Sequence, residues 1–280
     1  MQQPRWDLNP DNPNADIYRS YIDLYRKKQD SGAVVGGCNY EHFVLDDNPN
    51  ISEERKEEIK SQYEVGSIWY RRDIEGVRCA AEGLIYDMFN PDNHVVKMID
   101  ISDLLTGSKY ISCDYGTQNP TVYHMWQKGV DGKWYCIREY YYSGRDQRKQ
   151  KTDEDYVEDM KDFIGKDRVK QIIVDPSAAS FITALRKAGY AVMKANNDVA
   201  NGIRNVSTFL SNDRMAYVDT CTNTFDEYRS YVWDIKAAER GEDAPVKEND
   251  HAMDADRYFI NTIAAGKVAR ILDKKARWLR

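Results

Sequence analysis

The run VKQIIV at residues 169–174 is stopped at once by Asp175-Pro176, and it constrains the fold more than any other stretch of the chain. It is short, apolar and rich in β-branched side chains, which predicts a buried strand, and a proline directly beyond it ends the hydrogen-bonded ladder. Helical patterns flank it. Thr152, with Glu154 and Asp155 in the first turn, caps a helix running to about Ile164. Ala178–Lys187 forms another, stopped by Gly189. A strand between helices places the chain among α/β proteins.

The neighbouring segments extend this pattern. Lys109–Tyr115 (KYISCDY) is an apolar strand ending in Asp-Tyr-Gly. Thr121–Lys128 and Lys133–Tyr142 are two more strands, joined by the hairpin turn Gly129-Val130-Asp131-Gly132. Beyond the central strand come a short strand at Ala191–Lys194, a helix at Val199–Leu210, a strand at Met215–Val218, a helix at Thr224–Lys236, a loop at Pro245–Asn249 and a last helix at His251–Ile263. Three strands with antiparallel pairing, then helix and strand in alternation, is the order of an RNase H-like sheet and of several other α/β folds.

The stretch before about Ala81 is different. It is polar and punctuated by Asn9-Pro10, Asn12-Pro13 and Asn48-Pro49. Two helices are predicted, at about Asp16–Lys28 and about Ser52–Tyr63, the second capped by Ser52 with Glu53 and Glu54 in its first turn. This region is too thin to form a core alone. The reading is therefore a mostly helical linker segment over residues 1–80, followed by an α/β domain over 81–280.

Composition excludes some classes. No apolar run approaches the roughly 20 residues that span a bilayer, and Met1–Pro10 has no signal-peptide stretch, so a cytoplasmic protein is expected. The cysteines, Cys38, Cys79, Cys113, Cys136 and Cys221, show no C-x-x-C spacing and are read as free thiols rather than zinc ligands. A net charge of −6 argues against a sequence-independent nucleic-acid binder. That argument loses force where acidic residues hold metal ions.

Three aspartates carry the chemistry. Asp114 ends a strand before Gly116, and Asp175 ends the most apolar strand, the place where α/β sheets bind ligands. Asp254 shares a helix face with His251, three residues away, and with Asp250, four away. Asp256 points roughly opposite and is read as solvated. Each has an ordinary explanation as a turn-opening, helix-capping or helix-starting acid. Together they point further. Carboxylates about 4 Å apart repel by about 4 kcal/mol per pair at an effective dielectric of 20, so a fold that gathers them needs a cation or a raised pKa.

At this point the chain resembles a known family. DYGTQNPT (114–121), IIVDPSA (172–178) and APVKENDHAMDADRY (244–258) are similar to the nuclease domain of bacteriophage terminase large subunits. So are AEGLIYDMF (81–89), NNDVANGIRNVSTFL (196–210) and YVWDIKAAERGED (231–243). The resemblance implies an RNase H-like mixed sheet flanked by helices and a metal-dependent endonuclease. Its Asp114, Asp175 and Asp254 would bind two Mg2+ or Mn2+ ions, with His251 beside them as a further catalytic residue. It also implies cleavage of double-stranded concatemeric DNA in the host cytoplasm during packaging, with portal protein and small terminase subunit as partners. The family's helix commonly has an apolar residue where Asp256 stands.

WDLNPDNP (6–13), VLDDNP (44–49) and WYRRDIEGV (69–77) resemble the end of the family's ATPase region and its linker. No G-x-x-x-x-G-K-[ST] occurs, and GAVVGG (32–37) lacks the lysine, so the chain reads as a fragment without ATPase activity. A junction-resolving or repair nuclease of the same fold, and a non-catalytic docking module of the packaging motor, are the competing readings. Arg138, Arg145, Arg148, Lys149 and Lys151, and the tail from Lys267 to Arg280, could follow DNA phosphates or be plain solvated surface. Tyr140–Tyr142 is read as edge-strand packing and Lys247 as a loop charge.

Overall fold

The computed structural model describes residues 7–33 and 40–265. Cys38, most of the glycine run 32–37 and the basic tail from Lys267 onward lie outside them. A π-helical segment, Ile17–Ile22, leads into α1 (Asp23–Asp30), followed by α2 (Glu53–Lys60) and α3 (Ile68–Asp73). Then come α4 (Pro91–His94), β1 (Val95–Val96), α5 (Met98–Ile101), β2 (Leu105–Asp114), β3 (Thr121–Gly129) and β4 (Trp134–Tyr142). The second half holds α6 (Asp153–Ile164), β5 (Val169–Val174), α7 (Ala179–Lys187), β6 (Val192–Lys194), α8 (Val199–Ser211) and β7 (Met215–Val218). It closes with α9 (Thr222–Tyr228), α10 (Ile235–Glu239) and α11 (His251–Phe259), which runs on as a π-helical turn, Ile260–Ala264.

The chain divides into two compact units. One contains Met1–Ile85 and Val232–Val246, the other Tyr86–Tyr231 and Lys247–Arg280. The segment 232–246 thus joins the first unit, although the sequence reading left it in the domain 81–280. Its contribution there is physical. Asn12, fully buried, donates to Ala238 O (3.1 Å), and the buried Arg72 bonds Asp243 and Cys79 O. Leu84 pairs with Val232 and Trp233 with Pro245 as isolated bridges. These pairings also break the single helix expected over Thr224–Lys236 into α9 and α10, and Asp234 caps the second piece by accepting from Lys236 N (2.8 Å).

The larger unit is built on a seven-stranded sheet in the order β1-β7-β4-β3-β2-β5-β6. The β2/β3 and β3/β4 pairs are antiparallel, and the remaining pairs are parallel. Both faces are covered, which is why β3 is buried at every position from Val122 to Trp126. Tyr123 points to one face, meeting Phe163 of α6 (5.7 Å) and Phe181 of α7 (6.4 Å). Trp126 points to the other and stacks on Phe259 of α11 at 4.6 Å. Tyr140–Tyr142 belongs to an interior strand, but β7 pairs only with Trp134–Cys136, so the end of β4 is partnered by β3 alone. The four described cysteines are free and buried. No helix among the described residues is long and apolar enough to cross a membrane.

Candidate active site

Parallel pairing sets the first two carboxylates side by side. Cys113 of β2 registers with Val174 of β5, so Asp114 and Asp175 leave the carboxyl ends of adjacent strands together. Helix α11 packs across β2, β3 and β5. Its apolar residues Ala252, Met253, Ala255 and Phe259 are buried, and small Ala252 and Ala255 let it lie close. His251 and Asp254 then share the face toward the strand ends. His251 Nδ1 lies 2.9 Å from Asp114 Oδ2. The helix start is held by Glu227 of α9, whose carboxylate accepts from Ala252 N (2.7 Å) and Met253 N (3.4 Å).

Each carboxylate has a protein donor. Asp175 accepts from Tyr258 Oη (2.7 Å) and Ser177 N (2.6 Å). Asp254 Oδ1 accepts from Arg257 Nη2 (2.6 Å) and Nε (3.2 Å). No three acidic, histidine or cysteine side chains among the described residues form a ready-made metal cage. Asp114 Oδ1 and Asp254 Oδ2 accept no hydrogen bond from the described residues, and Lys247 Nζ stands 3.9 Å from Asp254 Oδ2.

Burial, charge and hydrogen bonding act differently on each of these groups. Burial pushes the Asp114 carboxyl up to about 6, helped by the charges of Asp254 and Asp250 and opposed by His251. Burial also acts to raise Asp175, but hydrogen bonds from Ser177 and Tyr258 outweigh it and hold that carboxyl low. Burial opposes protonation of His251, yet the bond and charge of Asp114 raise its pKa. The Tyr258 hydroxyl is raised by burial, then by the charges of Asp114 and Asp254 and by its bond to Asp175. An all-oxygen donor set with surplus negative charge fits hard divalent cations such as Mg2+ or Mn2+.

Asp256 corrects the sequence reading. It does lie off the face of Asp254, but it is fully buried rather than solvated. Its Oδ1 is 2.7 Å from His124 Nδ1, and its Oδ2 accepts from Tyr217 (2.5 Å) and Tyr228 (2.9 Å). On the far side of the imidazole, Nε2 lies 2.9 Å from Thr224 Oγ1, which donates to Glu139. The physical reason is that α11 is covered on two sides, so its second face meets α9, β7 and β3. Arg257 and Tyr258 were also missed as site residues. The i,i+3 spacing of Asp254 and Arg257 was visible, but the burial that makes their contact matter was not. Of the basic cluster, Arg138 bonds Phe163 O and Asp167, and Lys151 bonds Asp159. Arg145, Arg148 and Lys149 are exposed.

A mixed sheet covered by helices, with aspartates at the ends of neighbouring parallel strands and a third across them, is an RNase H-like nuclease fold. Residues 111–262 match the family model described as "Terminase RNaseH-like domain", and the chain belongs to that family. The large terminase of a thermophilic bacteriophage, solved in complex with ADP, is 48% identical with a TM-score of 0.80 over 91% of this chain and 61% of its own. The large terminase subunit of Escherichia phage T5 is 24% identical over 234 residues, 81% of this chain and 52% of its own length. The P22 large terminase nuclease domain shares the fold, with 19% identity and a TM-score of 0.50 over 64% of this chain and 91% of its own. The chain therefore spans less than two thirds of the thermophilic-phage and T5 large terminases.

Proposed function

We propose that this chain is a divalent-metal-dependent endonuclease that cuts double-stranded DNA during phage genome packaging, working with a portal protein and a small terminase subunit. The observation that carries this reading is that parallel register sets Asp114 and Asp175 at adjacent strand ends while α11, which carries Asp254, reaches Asp114 through His251 at 2.9 Å and Asp175 through Tyr258 at 2.7 Å. In this reading the three carboxylates hold two Mg2+ or Mn2+ ions. Bound there, such ions would supply activation of a water nucleophile and charge stabilisation at the leaving oxygen of a phosphodiester. Asp114 Oδ1 and Asp254 Oδ2 are the oxygens offered to metal. Tyr258 and Ser177 fix the rotation of Asp175. Asp114 fixes the His251 ring through Nδ1, which leaves Nε2 to pass a proton to the leaving oxygen.

Nicking of supercoiled plasmid tests this. The chain should relax the plasmid in Mg2+ or Mn2+ and stop in excess EDTA, and His251→Ala should slow the reaction without erasing it, unequally in the two metals. Full activity in chelator would refute the metal reading. Equal rates for wild type and His251→Ala from pH 6 to 9 (spanning the ordinary histidine pKa of roughly 6.5) would remove His251 from catalysis.

A further inference from the structure

Arg257 is 2% exposed, and its one ionic partner among the described residues is Asp254. Burying a guanidinium costs several kcal/mol unless it is paired and hydrogen-bonded. Here Nη2 and Nε both reach Asp254 Oδ1, and Nη1 donates to Asn197 O (3.0 Å) in the loop ahead of α8. The guanidinium also lies 5.0 Å from the centre of the Tyr258 ring, whose hydroxyl serves Asp175. One buried cation thus ties Asp254 to a neighbouring loop and lies against the side chain that orients a second carboxylate.

The helix facing it is shaped to admit the arginine. Gly202 sits inside α8, where glycine costs about 1 kcal/mol relative to alanine. A Cβ there would stand 2.2 Å from Arg257 Cγ and 2.5 Å from Cδ. The Gly202 notch therefore holds the arginine stem, and through it the guanidinium, in register with Asp254. The three atoms nearest a Cβ at Gly202 all belong to the stem of Arg257.

We propose that Arg257 is a positioning residue for the carboxylate site: it clamps Asp254 Oδ1, keeps that carboxylate oriented before any metal arrives, and leaves Oδ2 as the face presented to a divalent cation. This rests on reading Asp114, Asp175 and Asp254 as a metal site. Partners that orient a metal ligand are commonly worth about 10–100-fold in metal affinity. A lysine would keep the charge but not the forked contact to Asp254 and Asn197.

The test is Mn2+ binding to the folded chain without DNA, followed by the electron paramagnetic resonance of free Mn2+, beside the Mn2+ concentration that gives half-maximal nicking. Arg257→Gln should weaken Mn2+ binding about 10-fold or more. Gly202→Ala, whose added Cβ meets the arginine stem first, should weaken it in the same direction, and Arg257→Lys should fall between wild type and Arg257→Gln. The half-maximal Mn2+ concentration should rise in step. Folded variants with lowered melting temperature but Mn2+ affinity within about twofold of wild type, well short of a ligand-orienting effect, would reduce Arg257 to a packing residue and overturn the proposal. Tighter Mn2+ binding by Arg257→Gln would overturn it too, because Arg257 would then compete with metal. Failure of wild type to bind Mn2+ would overturn the metal-site reading and this proposal together, an outcome visible in wild type alone.

Discussion

Asp114→Asn, Asp175→Asn and Asp254→Asn should each slow plasmid nicking in Mn2+ by about 10³-fold or more. A metal ion acting on a phosphoryl centre supplies several kcal/mol of transition-state stabilisation, and each 1.36 kcal/mol is about tenfold in rate. Asparagine keeps the size of the side chain and removes the charge that would hold the ion. The three variants should differ in stability, because the aspartates differ in their partners. Asp254→Asn leaves the buried Arg257 without its ionic partner and should be the least stable. Asp175→Asn loses charge-assisted bonds from Tyr258 and Ser177. Asp114→Asn removes an aspartate whose ionisation the fold opposes. Rates are to be compared at equal folded fraction, followed by circular dichroism. A variant keeping more than about a tenth of the wild-type rate, a loss below about 1.4 kcal/mol, would take that residue out of the site.

The second large effect falls on Asp256. Asp256→Ala should cost about 3–5 kcal/mol of stability, because it leaves His124 buried without its nearest counter-charge. Burial alone would make His124 hard to protonate. The charge and bond of Asp256, then the charge of Glu139, outweigh burial and push it up to about 10. Burial would likewise raise Glu139, but the charge of His124, 3.9 Å away, and bonds from Thr224 and Asn223 bring it down to about 2. The signs define a pH window. The His124 contribution is complete below its unfolded pKa of roughly 6.5 and is lost as pH rises through about 10. The Glu139 contribution is complete above its unfolded pKa of roughly 4.3 and is lost as pH falls through about 2. Urea unfolding of wild type and Asp256→Ala across pH 4–10 checks this. A difference below about 1 kcal/mol near pH 6, the size of a surface ion pair, would mean that the buried pair contributes no more than an exposed one.

Local chemistry made much of this fold legible. Pro176 after VKQIIV and Gly116 after KYISCD marked two strand ends, and the structure ends β2 and β5 there. Thr152 and Ser52 announced their helices through caps that are present, each accepting from the third helical residue. The i,i+3 spacing of His251 and Asp254 put both on one helix face. What stayed hidden depended on contacts between distant segments. The partners of Asp256 lie 132, 39 and 28 residues away, so nothing near it in sequence distinguishes a buried acid from a solvated one. Glu227 caps α11 from 25 residues upstream, where no local capping rule applies. The helix expected over Thr224–Lys236 failed for a similar reason. Val232 and Trp233 pair with Leu84 and Pro245, and Asp234, a good cap residue, starts a new helix inside the expected one.

The most direct test of the carboxylate cluster as a metal site compares the melting of wild type and Asp114→Asn at pH 8, in EDTA and in saturating Mn2+. Burial, then the charges of Asp254 and Asp250, push the Asp114 carboxyl up to about 6 against the pull of His251. Its neutral form therefore stabilises the fold fully below the unfolded carboxyl pKa of roughly 3.9, and that benefit is lost as pH rises through about 6. At pH 8 without metal, wild type carries this penalty, up to roughly 3 kcal/mol, and asparagine does not. Asp114→Asn should then melt above wild type in EDTA. Mn2+ at about 100 times its dissociation constant should stabilise wild type by about 2.7 kcal/mol and the variant far less, so the order of melting closes or reverses. Equal Mn2+ shifts in the two proteins, or a variant that melts below wild type in EDTA, would contradict the assignment of Asp114 to a metal site.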